Sequence, residues 1–400
     1  MKYHFIQVYF LKNCNMKTNF FCIILFVFLS CTKEFDKEKI SINLNDTKEL
    51  KYSDIFESFE YIFLQIPDSV PLINPSKLTA NEFGVFVQDR EPNNLLIFNS
   101  SGKFEKIIKS SGPGPGEFLN LEDFQILQGE ILILDNNLKK LIKFDLLGAF
   151  KEENKIEFHP YNIHQSSNQL LMYFANRPEY ENFSIVGKNR NDLLGMKKVQ
   201  EEFIGINYSS TSGFIKDDLS KKIFLKLDTS YEVVVFDETG NIENEIEFDF
   251  GRYNFPNQKR MEFGLSPERY TYLRENNMVE NLFSFLPLKN NFLATIVQIG
   301  LKTKYILLDE DLKRYTVISK FINDFDHFEG DFSPISQFNG NIILFKDSRS
   351  FQKEYLKSFG GKSISSNIFN KPDGIHQFYK INEHDFQNDN FVVIKAIVRE

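Results

Sequence analysis

One short turn recurs along this chain, and its spacing limits the folds that are open to it. The segment Leu95-Leu96-Ile97-Phe98-Asn99-Ser100-Ser101-Gly102-Lys103-Phe104 is repeated in kind at Lys140–Phe150 and again at Glu232–Ile242. The glycines fall at 102, 148 and 240, so the intervals are 46 and 92, one and two periods of 46. Each copy reads as a strand, a tight turn closing on glycine, and a second strand. Glycine suits a turn position that needs positive φ. A period in this range means a repeat architecture whose units bury their faces only against one another.

A full unit is legible over 118–157. Its strands are about Phe124–Leu127, Ile131–Leu134 and Lys140–Phe144, with a fourth running to about Phe158. Four antiparallel strands in about 45 residues are the mark of a propeller blade. The same template predicts units near 75–110, 118–157, 158–200, 211–249, 282–320 and 332–346. The third is degenerate, with inner strands at Gln169–Phe174 and Asn182–Val186. The sixth has an Asn339-Gly340 hairpin turn and is completed by Phe391–Val398 and by the N-terminal segment Glu57–Ile66, which closes the ring and removes an exposed edge. The fold expected is all-β, a six-bladed β-propeller over residues 51–400. Seven blades and an open β-solenoid are the competing closures.

Two stretches depart from the template. Ser266-Pro267-Glu268-Arg269 reads as a helix start, with Ser266 as N-cap and proline at the first helical position, and the helix should run to about Glu280. Residues 347–390 read as polar and irregular. Insertions of this kind often lie on the binding face of a repeat protein.

The N-terminus carries a different signal. Phe20–Leu29 is an apolar run of about ten residues, half the ~20 needed to span a bilayer. Met16-Lys17 precedes it; Ser30 and Cys31 follow, then a charged tract. This is the layout of a secretory signal peptide over residues 1–30, with the start at Met16. Residues 31–50 are expected to form a flexible tether, with Cys31 the lipidated residue. Cys14 and Cys22 leave with the signal, so the mature chain keeps one cysteine and can form no intramolecular disulfide. The alternative is an ordinary core cysteine. Loss of Lys2, Lys12 and Lys17 takes 47 basic residues to 44 against 55 acidic, a net charge of −11. That balance argues against nucleic acid as a partner. The membrane, reached through the lipid on Cys31, is the partner the sequence does imply, and a monomer is expected.

The chain resembles the six-bladed β-propeller lipoproteins of Gram-negative bacteria, related to TolB-like and NHL-like propellers. The resemblance rests on Ser110-Ser111-Gly112-Pro113-Gly114-Pro115-Gly116-Glu117-Phe118 with Leu121-Glu122-Asp123-Phe124, on the Phe-Asp-x-x-Gly turns, and on Phe59-Glu60-Tyr61-Ile62-Phe63-Leu64. It implies a cell-envelope, outer-membrane location. The similarity of Lys33-Glu34 and Asp36 to the export tract of some such lipoproteins extends this to the cell surface.

No motif supplies chemistry. Residues 112–116 could suggest a phosphate loop, but such loops work through successive backbone N–H groups, and Pro113 and Pro115 have none. A rigid interblade turn is the better reading, with Glu117 capping a neighbouring backbone. Asp324, Asp326, Glu329 and Asp331 crowd one loop without calcium-loop spacing. His159, His164, His327, His376 and His384 show no metal-ligand spacing. No catalytic residue, metal or cofactor is assigned, and the ligand-binding residues are unknown. The favoured reading is a non-enzymatic binding lipoprotein for a glycan, peptide or protein. A metal-dependent propeller enzyme of lactonase or lyase type, and a scaffold in an outer-membrane complex, remain alternatives.

Overall fold

The three turns that define the period have one geometry. Gly102, Gly148 and Gly240 lie at φ of +85°, +71° and +92°. Their N–H groups donate to the carbonyls of Asn99, Asp145 and Asp237 at 3.0, 2.9 and 3.0 Å. In each copy the ladder slips at the preceding phenylalanine, Phe98, Phe144 or Phe236. This is a hairpin with a glycine-dependent bulge, which tightens the twist of the outer strands. At Gly102 a Cβ would also lie 2.2 Å from the Phe63 carbonyl oxygen, so the glycine lets two blades meet.

The computed structural model describes residues 37–70, 72–180, 183–188, 193–200, 203–206, 213–300, 303–361 and 374–400. Strands β1 (Lys37–Ser41), β2 (Thr47–Lys51) and β3 (Phe56–Leu64) come first. Blade one is β4 (Pro75–Asn81), β5 (Gly84–Asp89), β6 (Asn94–Phe98) and β7 (Phe104–Lys109). Blade two is β8 (Leu121–Leu127), β9 (Glu130–Asp135), β10 (Lys140–Asp145) and β11 (Phe150–Lys155). Blade three is β12 (Asn162–Gln165), β13 (Leu170–Tyr173), β14 (Ile185–Lys188) and β15 (Leu193–Lys197). Blade four is β16 (Phe214–Lys216), β17 (Ile223–Lys226), β18 (Glu232–Phe236) and β19 (Ile242–Asp249). Helices α1 (Asn257–Phe263) and α2 (Glu268–Glu275) lead into blade five: β20 (Val279–Pro287), β21 (Asn291–Gln298), β22 (Lys304–Asp309) and β23 (Tyr315–Ile322). Blade six is β24 (Pro334–Phe338), β25 (Asn341–Asp347) and β26 (Phe391–Val398), with α3 (Ser348–Phe359) and α4 (Ile375–Asn382) between the last two.

Six sheets result, each with its first strand innermost, and β3 supplies the fourth strand of the sixth. It pairs antiparallel with β26 from Phe56↔Val398 to Leu64↔Phe391. The closure read from the sequence therefore holds. The core lies between sheets, where facing strands bury clusters such as Phe86, Leu95, Phe124 and Ile133.

Three expectations need correction. Residues 37–51 are not a free tether. β1 adds parallel to the outer edge of β19, and β2 adds parallel to β23. Lys37 bridges Glu232 at 2.7 Å and Glu247 at 2.6 Å, and Ile40, Ile42 and Leu44 are buried. These few apolar side chains sit among charges, so the strands read as polar linker in the sequence.

The predicted helix at 266–280 is displaced. It starts at Glu268 with Pro267, not Ser266, at the cap, and it stops at Glu275. Asn277 adopts φ +52°, and the Met278 N–H returns to the Leu273 carbonyl at 3.0 Å, a left-handed helix stop. The short α1 before it was not expected.

Residues 347–390 are not irregular. Asp347 caps α3 by accepting the Ser350 N–H at 2.8 Å. Phe351 and Tyr355 then fall one turn apart and pack with Phe378, Tyr379 and Phe386 over Phe63.

Candidate functional site

The innermost strands enclose an axial cavity of about 970 Å³. All six blades touch it, through Lys77, Gln125, His164, Phe214, Phe283 and Gln337 among others. Its open rim consists of the turns after the first strands, with Phe83, Gln128, Ser167 and Lys221, and of Glu238 from a neighbouring hairpin. None of the residues of α1 to α4 lines it. The helical insertions and the cavity rim lie on different sets of turns: α1 to α4 follow outer or second strands, whereas the rim is built from the turns after the first strands.

Two rows of polar contacts join neighbouring blades around the axis. The Lys77 ammonium donates to Asp123 Oδ1 at 2.6 Å and to the Phe124 carbonyl at 2.8 Å. Asp123 Oδ2 accepts the Ile163 N–H at 2.9 Å, which carries the connection from blade one to blade three. One layer along, Gln125 accepts the Gln165 N–H at 2.8 Å and reaches the His164 Nδ1 at 2.8 Å. On the far side Gln337 donates to the Lys216 carbonyl at 2.6 Å, joining blade six directly to blade four. His164 is 3% exposed, and burial, with the Lys216 and Lys77 ammoniums nearby, pushes its pKa down to about 3.

Buried aspartates close the opposite end of the inner strands. Asp89 accepts the N–H groups of Ile73 and Asn74 at 2.9 and 2.7 Å, and Asp135 accepts those of Leu119 and Leu138 at 2.7 and 2.9 Å. They stand 46 residues apart, at equivalent ends of β5 and β9. Neither aspartate is singled out by the sequence reading, although their shared 46-residue spacing is the signal that marks them.

The loop at 112–116 is an interblade turn. Glu117 Oε2 accepts the Gly114 N–H at 3.0 Å, and Glu153 accepts the Gly116 N–H at 3.0 Å while pairing with buried Lys140 at 3.0 Å. Two carboxylates of the acidic loop serve local structure. Asp324 accepts from the Ser53 N–H and hydroxyl at 3.0 and 2.5 Å, and Asp326 accepts from the Tyr61 hydroxyl at 2.7 Å. Among the described residues no group of three or more histidine, cysteine, aspartate or glutamate side chains could hold a metal. His159 Nδ1 meets the Asn136 carbonyl and His376 Nδ1 the Tyr355 hydroxyl, both at 2.8 Å, while His327 and His384 are exposed. Of these five described histidines only His164 lines the cavity. Cys31 and the signal segment lie outside the described residues.

Ring closure and a walled axis define the class: a six-bladed β-propeller with an axial cavity. The chain belongs to the DUF5128 family, described as a 6-bladed beta-propeller, whose model matches residues 31–344. Among solved structures it is similar to a Bacteroides fragilis NCTC 9343 protein described as exported, at 15% identity and a TM-score of 0.67, covering 90% of this chain and 100% of that one. A DUF4221 member from Bacteroides vulgatus ATCC 8482 matches at 9% identity and TM-score 0.49, over 88% and 98% of the two chains. A streptogramin B lyase matches at 13% identity and TM-score 0.38, over 71% and 94%. At these identities the likeness is one of fold. Comparison with curated proteins finds no match.

Proposed function

We propose that this chain is a lipid-anchored cell-envelope binding protein that takes a small polar ligand in its axial cavity. The cavity carries the reading. Its volume of about 970 Å³ lies at the upper end of the ~300–1,000 Å³ typical of ligand pockets. It mixes aromatic walls, Phe124, Phe214 and Phe338, with amides and ammoniums. A short saccharide or peptide fits that combination. The anchor rests on the signal layout ending at Cys31, and the likeness to a protein described as exported supports an envelope location.

The enzyme reading draws on one observation: Gln125, His164 and Gln337 converge from three blades. Each already contacts a neighbouring backbone or side chain. That favours a fixed recognition surface over a set of groups poised to react.

Two measurements test the proposal. Labelled palmitate should enter the wild-type protein and not Cys31→Ser; equal labelling of both would remove the anchor. Mature protein in detergent, titrated calorimetrically against short glycans and peptides, should bind at least one, and Phe214→Ala should weaken it about tenfold. A ligand whose affinity ignores that change does not use the cavity.

A further inference from the structure

Around Lys77, Gln125, His164 and Gln337 the axial cavity offers more open donors than open acceptors. The acceptors of this group, on Asp123, Gln125 and Gln337, are taken by the protein itself. Asp123 gives one oxygen to Lys77 and the other to the Ile163 N–H. Gln125 Oε1 accepts from the Gln165 N–H, and Gln337 Oε1 accepts the Gly340 N–H at 3.1 Å.

That accounting also sets the tautomer of His164. With Oε1 of Gln125 committed to a backbone N–H, its amide nitrogen faces His164 Nδ1 at 2.8 Å. An amide nitrogen only donates, so Nδ1 accepts and the ring proton sits on Nε2. Burial keeps the ring neutral. Among the described residues no hydrogen bond accepts this Nε2–H. Two cations stand near enough to lower the proton affinity of His164: Lys77 from blade one and Lys216 from blade four. The ammonium of Lys77 has spent two of its three N–H groups. Among the described residues Lys216 pairs only with Asp218, at 2.9 Å and with both side chains more than a third exposed, a geometry that contributes little and can be exchanged.

We propose that the cavity seats a ligand carboxylate against the His164 Nε2–H and the ammonium groups of Lys77 and Lys216. The inference rests on the cavity being the binding site and names the chemistry it takes. A ligand group with acceptors and no donors matches the donor excess, and a negative charge matches the two ammoniums. The rim limits how much charge can enter. Glu82, Glu238 and Asp218 lie at the cavity's turns and hairpins, so a single carboxylate on a neutral polar body is preferred over a polyanion.

The test uses mature protein in detergent with 15N-labelled histidine. D-glucuronate and N-acetylglycine supply the carboxylate from a sugar and from a peptide; glucose and N-acetylglycinamide are their uncharged counterparts. One of the acids should shift the His164 Nε2–H resonance saturably, at least tenfold more tightly than its counterpart. The preferred acid identifies the source. Lys216→Gln should weaken it about tenfold, and an unchanged melting curve will show that the exposed side chain was not needed for folding. Equal binding of acid and counterpart, or an affinity indifferent to Lys216→Gln, overturns the carboxylate inference. If only uncharged ligands bind, the cavity reading survives and this inference falls. If neither these probes nor the glycan and peptide panel moves any cavity resonance, both fall.

Discussion

His164 carries a cost that pH can expose. Its imidazole is buried and held neutral with a pKa of about 3, against about 6.5 in an unfolded chain. Between those values the unfolded state binds the extra proton, so stability rises with pH. The contribution is complete above about pH 6.5 and is lost as pH falls toward 3. His164→Gln keeps an amide in its place and has no proton to gain. Urea titrations at pH 7, 5.5 and 4 should show the wild type losing stability relative to that variant, by up to about 1.4 kcal/mol per pH unit. Parallel losses in the two proteins would show that His164 titrates normally. At this scale the sequence was readable where a residue's role is local. Gly102, Gly148 and Gly240 announce their turns because positive φ singles out glycine. His164 does not announce itself, because its partners Gln125, Lys77 and Lys216 lie on three other blades and share no spacing with it.

Among the elements, β3 has the most to hold. Its first residue, Phe56, is fully buried and meets the rings of Tyr52, Phe59, Phe321 and Phe332. It therefore joins the fifth blade to the sixth as well as starting the closing strand. Phe56→Ala should cost roughly 3–5 kcal/mol, the usual range for a buried phenylalanine. Phe150→Ala removes a ring of which 44% is exposed on β11 and should cost about 1 kcal/mol or less. Comparable midpoints in urea for the two variants would deny β3 its role. The closing strand was legible because Phe59–Leu64 is rich in aromatic and aliphatic residues. β1 and β2 were hidden: Lys37-Glu38-Lys39 and Lys48-Glu49 contribute ion pairs and edge hydrogen bonds that charged linkers resemble in composition. Helices α3 and α4 were hidden for another reason. Their aromatic residues recur at helical spacing within a stretch that is polar on average and departs from the strand repeat on either side of it.

Around the whole ring, the N-terminal segment does two separable things. Residues 37–51 lie along the outer edges of blades four and five, while β3 completes blade six. The first is an addition to sheets that already have four strands; the second is part of the closure. A chain starting at Tyr52 should therefore still fold, with the ring intact. It loses the burial of Ile40, Ile42 and Leu44, worth roughly 5 kcal/mol as an upper estimate, and its midpoint should fall by roughly 5–10 °C. It also leaves the edges of β19 and β23 unpaired, so light scattering should show some self-association. A chain starting at Gln65 loses β3 as well. Blade six then keeps three strands, the face of β26 that met Tyr61 and Phe63 is opened, and the ring has a seam between blades five and six. That protein should show no cooperative thermal transition. If it melts as sharply as the full chain, ring closure through β3 is dispensable; if the Tyr52 start also abolishes the transition, the outer strands belong to the closure and the two roles are one.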